Sequence, residues 1–112
     1  RMVAARTTMR TMATALLTAN RLDALVYPTT KSPPPARGAE GQANNCELAS
    51  STGLPAVVVP AGFTSDVPAL PLSVEFLGRM WDEARLLQIA YSYEQHTHHR
   101  QPPTTLSPAR EK

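Results

Sequence analysis

The segment that decides the fold reads Thr52-Gly53-Leu54-Pro55-Ala56-Val57-Val58-Val59-Pro60-Ala61-Gly62. Residues 56–59 are all apolar and lack the polar–apolar alternation of a strand that has one solvated face. An unbroken β-branched run is typical of a strand covered on both faces, as in α/β proteins. The segment therefore predicts a central strand bounded by prolines and followed by a loop over residues 61–69.

Two further strands are predicted on either side of this segment. Residues 24–27 are apolar and stop at Pro28, which indicates a short buried strand. Within residues 70–77, large apolar side chains alternate with proline or polar ones, which indicates a half-exposed strand near a sheet edge. Its expected buried face is Leu70, Leu72, Val74 and Phe76, and its expected exposed face is Pro71, Ser73 and Glu75.

Three helices complete the pattern. Residues 44–51 predict a short helix with Asn44 or Asn45 as N-cap, and residues 31–43, with a proline run, predict a loop. The last helix is expected to start after Asp82, to end at Pro102 and to bury Leu86, Ile89, Ala90 and Tyr93. Residues 3–20 predict a first helix with an apolar stripe of Ala5, Met9, Met12, Leu16 and Ala19.

The first helix has a second interpretation. Residues 1–21 contain arginines and threonines but no acidic residue, which is the composition of a mitochondrial transit peptide. A structural helix is favoured because the following residues continue directly into a strand.

Three strands and these helices are too few to cover both faces of the 54–59 strand, so we expect the chain to be part of a larger domain.

Composition excludes several classes of protein. The 112 residues are 42% hydrophobic and 18% charged, with a formal net charge of +2. This charge and the scattered aromatic residues do not favour a nucleic-acid partner, and no apolar run reaches the ~20 residues of a membrane span. A single cysteine, Cys46, leaves no internal disulfide and suits a reducing, cytoplasmic location.

The stretch Asp23-Ala24-Leu25-Val26-Tyr27-Pro28-Thr29 resembles the aspartate–apolar–proline–threonine strand of amidase-signature enzymes. Residues 52–62 are similar to the family's glycine–x–proline–alanine strand, and residues 70–78 to the strand after it. Residues 83–94 resemble its last helix. The closest similarity in pattern is to bacterial and fungal amidases related to peptide amidase.

The resemblance implies an α/β fold in which this chain is the C-terminal fragment of an α/β/α domain, supplying the last strands of a mixed sheet and flanking helices. Residues 1–103 would belong to that domain, and residues 104–112 would be a polar tail. The sequence departs from the family pattern in the longer 64–69 loop and at Ser73, where relatives usually have glycine. Both departures weaken any transfer of substrate preference.

The family hydrolyses amides with a nucleophilic serine, a second serine in a cis peptide, and a lysine, all of which the resemblance implies lie upstream of this segment. Ser50-Ser51-Thr52-Gly53 has two serines but no oxyanion loop, and a helix end is the favoured interpretation. Lys31 and Lys112 are expected to be exposed, and an exposed lysine, with a pKa near ~10.4, is no base at neutral pH. The chain is therefore predicted to contain no catalytic residue.

Other reactive side chains are interpreted as structural. His96 and His99 have helical spacing but no flanking carboxylate or thiol, so neither a metal nor a cofactor is predicted. Cys46 is expected to be a buried thiol. The candidate substrate-pocket residues follow the buried strand, where α/β folds place ligands; they are Ala61, Gly62, Phe63 and Asp66.

The sequence thus predicts the C-terminal part of an amidase that converts a carboxamide to a carboxylate and ammonia. Its expected partners are the rest of the amidase domain and, in the full enzyme, a small amide substrate. Two alternatives stay open. One is a non-catalytic chain that docks a separate N-terminal chain, and the other is part of a transamidation subunit that works with transfer RNA.

Overall fold

The computed structural model describes residues 2–33, 35–39, 45 and 47–102. The elements are α1 (Met2–Ala19), β1 (Leu25–Pro28), α2 (Glu47–Thr52), β2 (Ala56–Phe63), β3 (Pro71–Leu77) and α3 (Glu83–Thr97). The predicted order of helices and strands is confirmed. No helix among the described residues has the length and apolarity needed to cross a membrane.

The strands form one antiparallel sheet in the order β1-β3-β2. The prediction that residues 54–59 form the central strand is wrong for this sheet, because β3 lies in the middle and β2 at an edge. The prediction that residues 70–77 lie near an edge is wrong for the same reason. The alternation in β3 arises because its two faces meet two different cores: Phe76 packs towards α3 and Leu77 towards α1.

Strand β2 runs through Pro60 to Phe63, so the predicted loop begins later than residue 61. The register shifts between Pro60 and Gly62, where Ala61 is the extra residue of a bulge. Gly62 has φ 127°, a backbone conformation that residues with a Cβ rarely adopt. A bulge lets the strand continue past a proline, and the sequence pattern alone did not reveal it.

Helix α3 covers one face of the sheet. Leu86 and Ala90 are buried against Val59 and Phe76, with Ile89 and Tyr93 partly buried around them, as the predicted stripe required. The helix ends at Thr97, before the predicted stop at Pro102. His98 there has φ 50°, and its backbone N–H donates to the Glu94 carbonyl at 2.9 Å. Asp82 precedes the helix as predicted, but its side chain makes no capping hydrogen bond.

Helix α1 packs on the opposite face through a different stripe from the one predicted. Its buried side chains are Ala13 and Leu17, whereas Met9, Met12 and Leu16 are 42%, 67% and 49% exposed. The rotation of the helix follows from a contact that periodicity does not reveal, since Arg10 Nε donates to the Thr52 carbonyl at 2.6 Å. Residues 10, 13 and 17 therefore face α2 and the sheet.

Helix α2 starts at Glu47, later than the predicted residue 44. The Asn45 carbonyl accepts from the Leu48 N–H at 3.2 Å, while the Asn45 side chain donates to the Pro28 carbonyl at 2.7 Å. Asn45 therefore joins α2 to β1 instead of capping α2 with its side chain. The other predicted N-cap, Asn44, lies outside the described residues.

Candidate functional site

The four candidate pocket residues lie at one end of the sheet. Gly62 pairs with Leu72 and Phe63 with Pro71 at the close of the β2–β3 ladder. The Phe63 side chain is 39% exposed, and Asp66 is exposed on the connecting loop. The concave surfaces at α1 and α3 are lined by other residues. A pocket role for these four residues therefore stays a prediction.

The loop that carries Asp66 is held by Thr64. The Thr64 N–H donates to the Leu70 carbonyl at 2.9 Å, and the Leu70 N–H donates back to Thr64 Oγ1 at 3.0 Å. The Asp66 N–H also points at Thr64 Oγ1, at 3.4 Å. The peptide bond between Val67 and Pro68 is cis. These contacts join the two ends of the loop and leave the Asp66 carboxylate exposed.

A polar cluster that the sequence did not reveal lies at the same end of the sheet. Ser73 Oγ donates to Thr29 Oγ1 at 3.0 Å, and the Thr29 N–H donates to the Ser73 carbonyl at 3.1 Å. The Asn45 N–H donates to the Thr29 carbonyl at 2.9 Å. Ser73 also pairs with Pro60, next to Ala61. Hydroxyl and amide groups of this kind can bind an amide, but the cluster holds no base to activate a nucleophile.

Ser50 and Ser51, the two adjacent serines considered in the sequence as a catalytic stretch, belong to α2, as the helical interpretation predicted. Ser50 Oγ donates to the Glu47 carbonyl at 3.2 Å, a local helix contact. Lys31 is exposed on a bend. Lys112 lies outside the described residues, as do Cys46 and residues 104–112.

A buried carboxylate lies at the centre of the sheet. Glu75 is 2% exposed, and the Tyr27 hydroxyl donates to Glu75 Oε1 at 2.9 Å. The prediction that Glu75 lies on an exposed face is wrong, because that face is covered by the α1–α2 side of the fold. The pair joins β1 to β3 at the register position that Tyr27 and Glu75 share.

A wide, open hollow of about 650 Å³ lies beside α3, and its lining combines apolar side chains such as Phe76 and Ile89 with polar ones such as Arg85. Arg85 Nη2 lies 2.8 Å from Asp23 Oδ1 across it. The hydrogen bond and the charge of Asp23 raise the pKa of the Arg85 guanidinium. His96 Nδ1 is 2.7 Å from the Ser92 carbonyl oxygen. Among the described residues, no three His, Cys, Asp or Glu side chains converge as metal ligands.

Comparison with known proteins identifies the family. The family model described as Amidase matches residues 1–87. This chain belongs to the amidase family. The match includes α1, so this helix is part of the amidase domain. This supports the interpretation of residues 1–21 as a structural helix over their interpretation as a transit peptide.

Solved amidases share the fold. The peptide amidase from Stenotrophomonas maltophilia is 35% identical, with a TM-score of 0.73 over 94% of this chain and 22% of its own. An amidase family protein from Bacillus anthracis str. Ames is 25% identical, with a TM-score of 0.72 over 92% of this chain and 18% of its own. The predicted fold class is confirmed: the chain has the α/β structure of a fragment of an amidase-signature domain.

Curated relatives include subunits of an amidotransferase. A glutamyl-tRNA(Gln) amidotransferase subunit from Synechococcus sp. (strain JA-3-3Ab) is 34% identical over 92 residues, which is 74% of this chain and 18% of that protein. The corresponding subunit from Ralstonia pickettii (strain 12J) is 47% identical over 55 residues, which is 47% of this chain and 11% of that protein. The amidase chain thus spans about a fifth of the length of these relatives or less.

Proposed function

We propose that this chain is the C-terminal part of an amidase that hydrolyses a carboxamide C–N bond to a carboxylate and ammonia. Its role is to complete the sheet and to form part of the substrate-pocket wall. The reacting serine, the bridging serine and the lysine base come from the portion of the domain that this chain does not contain. A non-catalytic chain that docks a separate N-terminal chain would use the same surfaces.

One observation carries this proposal. The chain superimposes on the Stenotrophomonas maltophilia peptide amidase with a TM-score of 0.73 over 94% of its own length but only 22% of that enzyme. Among the described residues, the Ser50 hydroxyl is bonded within a helix, the Ser73 hydroxyl is bonded to Thr29 in the sheet, and the one described lysine, Lys31, is exposed on a bend. A buried neutral lysine beside a serine, which this chemistry requires, is not present among those residues.

The proposal is tested by reconstitution. The complementary portion, defined as the Stenotrophomonas maltophilia peptide amidase without the segment that this chain matches, is co-expressed with residues 1–112. Ammonia release from small and large carboxamides is then measured. We expect activity from the pair and none from either part alone. Turnover by residues 1–112 alone that is lost in Ser50→Ala or Ser51→Ala would overturn the assignment of catalysis to the missing portion.

The pocket-wall role is tested at Phe63. This half-exposed ring follows the bulge at the end of β2, beside the Thr29–Ser73 cluster, so its replacement by alanine is expected to change the ratio of rates for small and large amides. Val67→Ala is the matched control, since Val67 is 99% exposed on the loop that follows Phe63. Equal rate ratios in wild type and Phe63→Ala would place the loop outside the pocket.

A second candidate function is a part of a transamidation subunit. It is supported by the 34% identity over 74% of this chain to the Synechococcus amidotransferase subunit. The two functions differ in where the released ammonia goes. A transamidation subunit passes it to an aminoacyl-tRNA, so its amide turnover responds to added tRNA and its partner subunits, whereas turnover by a hydrolytic amidase does not.

A further inference from the structure

Two pairs of polar side chains follow one another on the sheet face that α1 covers. The inner pair, Tyr27 and Glu75, is closed, since Glu75 is 2% exposed and the Tyr27 hydroxyl donates to it. The outer pair, Thr29 and Ser73, lies two residues away along each strand and therefore on the same face, and both residues are half-buried. This row of polar side chains thus opens towards the end of the sheet where the candidate pocket residues lie.

The hydroxyls of Thr29 and Ser73 keep unused hydrogen-bonding capacity. Their oxygens lie 3.0 Å apart, and this contact uses the hydrogen of one hydroxyl and a lone pair of the other. One O–H donor and further lone pairs remain, and neither hydroxyl has a second partner among the described residues. A half-buried polar group without a partner costs free energy, so the pair favours a ligand group that both donates and accepts.

The backbone holds this pair in place. The Thr29 N–H donates to the Ser73 carbonyl at 3.1 Å, and the Thr29 carbonyl accepts from the Asn45 N–H at 2.9 Å. The Asn45 side chain also donates to the Pro28 carbonyl at 2.7 Å. Because these bonds fix the backbone on both sides of the pair, the two hydroxyls are held at a set separation, which lowers the entropy cost of binding a ligand between them.

The surroundings of the pair are apolar. Ser73 pairs with Pro60, which is exposed on the same face, and Val58 beyond it is 51% exposed. An apolar surface with a few fixed polar groups is typical of a small-molecule site. Strands β2 and β3 contain no cationic residue, and their one acidic residue, Glu75, would repel an anion. The surface therefore favours an uncharged ligand.

We propose that the Thr29 and Ser73 hydroxyls bind a hydroxyl group in the acyl part of the carboxamide substrate. This inference rests on the proposed function and names a substrate class for it, the hydroxyamides. A hydroxyl fits because its one oxygen both donates and accepts. Relatives usually have glycine at position 73, and glycine has no hydroxyl, so the pair sets this chain apart from them. Thr29 and Ser73 then determine specificity and take no part in the reacting step.

The test compares substrates on residues 1–112 co-expressed with the complementary portion of the peptide amidase. The substrates are 2-, 3- and 4-hydroxybutanamide, which place the hydroxyl at different distances from the reacting carbon. Each is compared with the amide in which a methyl group replaces the hydroxyl. We expect at least one hydroxyamide to have a higher kcat/KM than its methyl counterpart. In Thr29→Val this preference should fall about tenfold, the value of one lost hydrogen bond.

Two further variants separate the hydroxyls from their surroundings. Ser73→Ala removes the second hydroxyl and keeps the Cβ, so it should lower the preference in the same direction. Thr30→Val is the matched control, since Thr30 is exposed and lies next to the pair in the sequence. Equal losses of kcat/KM for a hydroxyamide and its methyl counterpart in Thr29→Val would assign the pair a purely structural role and overturn the proposal. A similar loss of preference in Thr30→Val would do the same.

The remaining outcomes are distinct. An active complex with the same preference in wild type and Thr29→Val would overturn the subsite and leave the proposed function standing. A complex that forms without turnover would count against the proposed function, and calorimetric affinities for the same amides then decide the subsite. Equal affinities for the hydroxyl and methyl forms would overturn it, and a hydroxyl preference that is lost in Thr29→Val would support it. Failure to form any complex would count against both.

Discussion

Helices α1 and α3 lie on opposite faces of one sheet, and both carry an apolar stripe at helical spacing. Helix α3 buries its stripe, with Leu86 and Ala90 at 3% and 7% exposure. Helix α1 leaves its stripe open, with Met12 at 67% exposure. The open stripe lines a groove of about 380 Å³ together with side chains of β1 and α2; the groove residues are Met9, Met12, Ala13, Leu16, Leu25 and Leu48.

The difference shows what each helix is packed against. Helix α3 follows β3 after a short connection and fits tightly, since a Cβ on Gly78 would lie 2.9 Å from the Leu86 Cγ. Helix α1 is pinned to α2 by Arg10 and presents its methionines outwards. An apolar groove of this kind marks an interaction surface. The apolar stripe of α3 is therefore buried within this chain, and we expect the open stripe of α1 to be covered by the rest of the amidase domain.

The largest expected effect comes from separating the chain from that domain. We expect residues 1–112 alone to be poorly soluble or to lack a cooperative melt. The run of three valines at residues 57–59 would lose part of its cover, and burying one valine contributes roughly 1.5–3 kcal/mol to the free energy of unfolding. Because a whole domain is stable by only about 5–15 kcal/mol, a loss of that size could unfold the isolated chain. Size-exclusion chromatography and thermal unfolding of the isolated chain measure this. A monodisperse monomer with a sharp melt would show that the α1 side needs no further cover.

Within the assembled protein, Leu86→Ala should have the next largest effect. Leu86 is 3% exposed in the α3 core, and truncating a buried leucine costs about 2–5 kcal/mol of unfolding free energy. Leu87→Ala is the matched control, because Leu87 is 62% exposed and the change should stay within about 0.5 kcal/mol. Urea denaturation of the co-expressed complex measures both. Similar losses would mean that α3 is covered on its outer side too.

The third effect concerns Glu75, the buried acidic residue on the sheet face that α1 covers. Tyr27→Phe removes the hydroxyl that donates to Glu75 and leaves a carboxylate oxygen without that donor, which we expect to cost about 1–3 kcal/mol. Tyr91→Phe is the control, since Tyr91 is 65% exposed. The urea midpoints of the two variants are compared with wild type. Equal midpoints would show that the Tyr27 hydroxyl contributes nothing to joining β1 and β3.

The smallest effect is expected at the exposed ion pair between α3 and the residues before β1. Asp23→Asn removes the carboxylate that raises the pKa of Arg85. A raised pKa stabilises the fold below the ordinary arginine pKa, and this contribution is lost only as the pH rises through the folded-state value. Thermal melts should therefore show a small shift that is constant across neutral pH and shrinks with salt. A loss as large as that of Leu86→Ala would contradict this.

The place of three candidate pocket residues in the chain follows from a local pattern. Ala61, Gly62 and Phe63 follow an apolar strand in the sequence, and the structure puts them at the end of β2 near Thr29 and Ser73. The bulge at Ala61 was not predictable, because a proline in a strand pattern indicates an end, and only the pairing with β3 shows that the ladder continues. The contact between Thr29 and Ser73 joins residues 44 positions apart, which no local pattern reveals.

The sequence by itself determined the order of the helices and strands, the buried face of α3 and the resemblance to the amidase family, since each depends on periodicity or on short motifs within one segment. Only the tertiary structure decided that β3 lies between β1 and β2, that Glu75 is buried, and that α1 turns Ala13 and Leu17 inwards. The physical reason is that the spacing of apolar residues along the sequence indicates which of them share a face of a helix or strand. What covers that face is decided by parts of the chain that are distant in sequence.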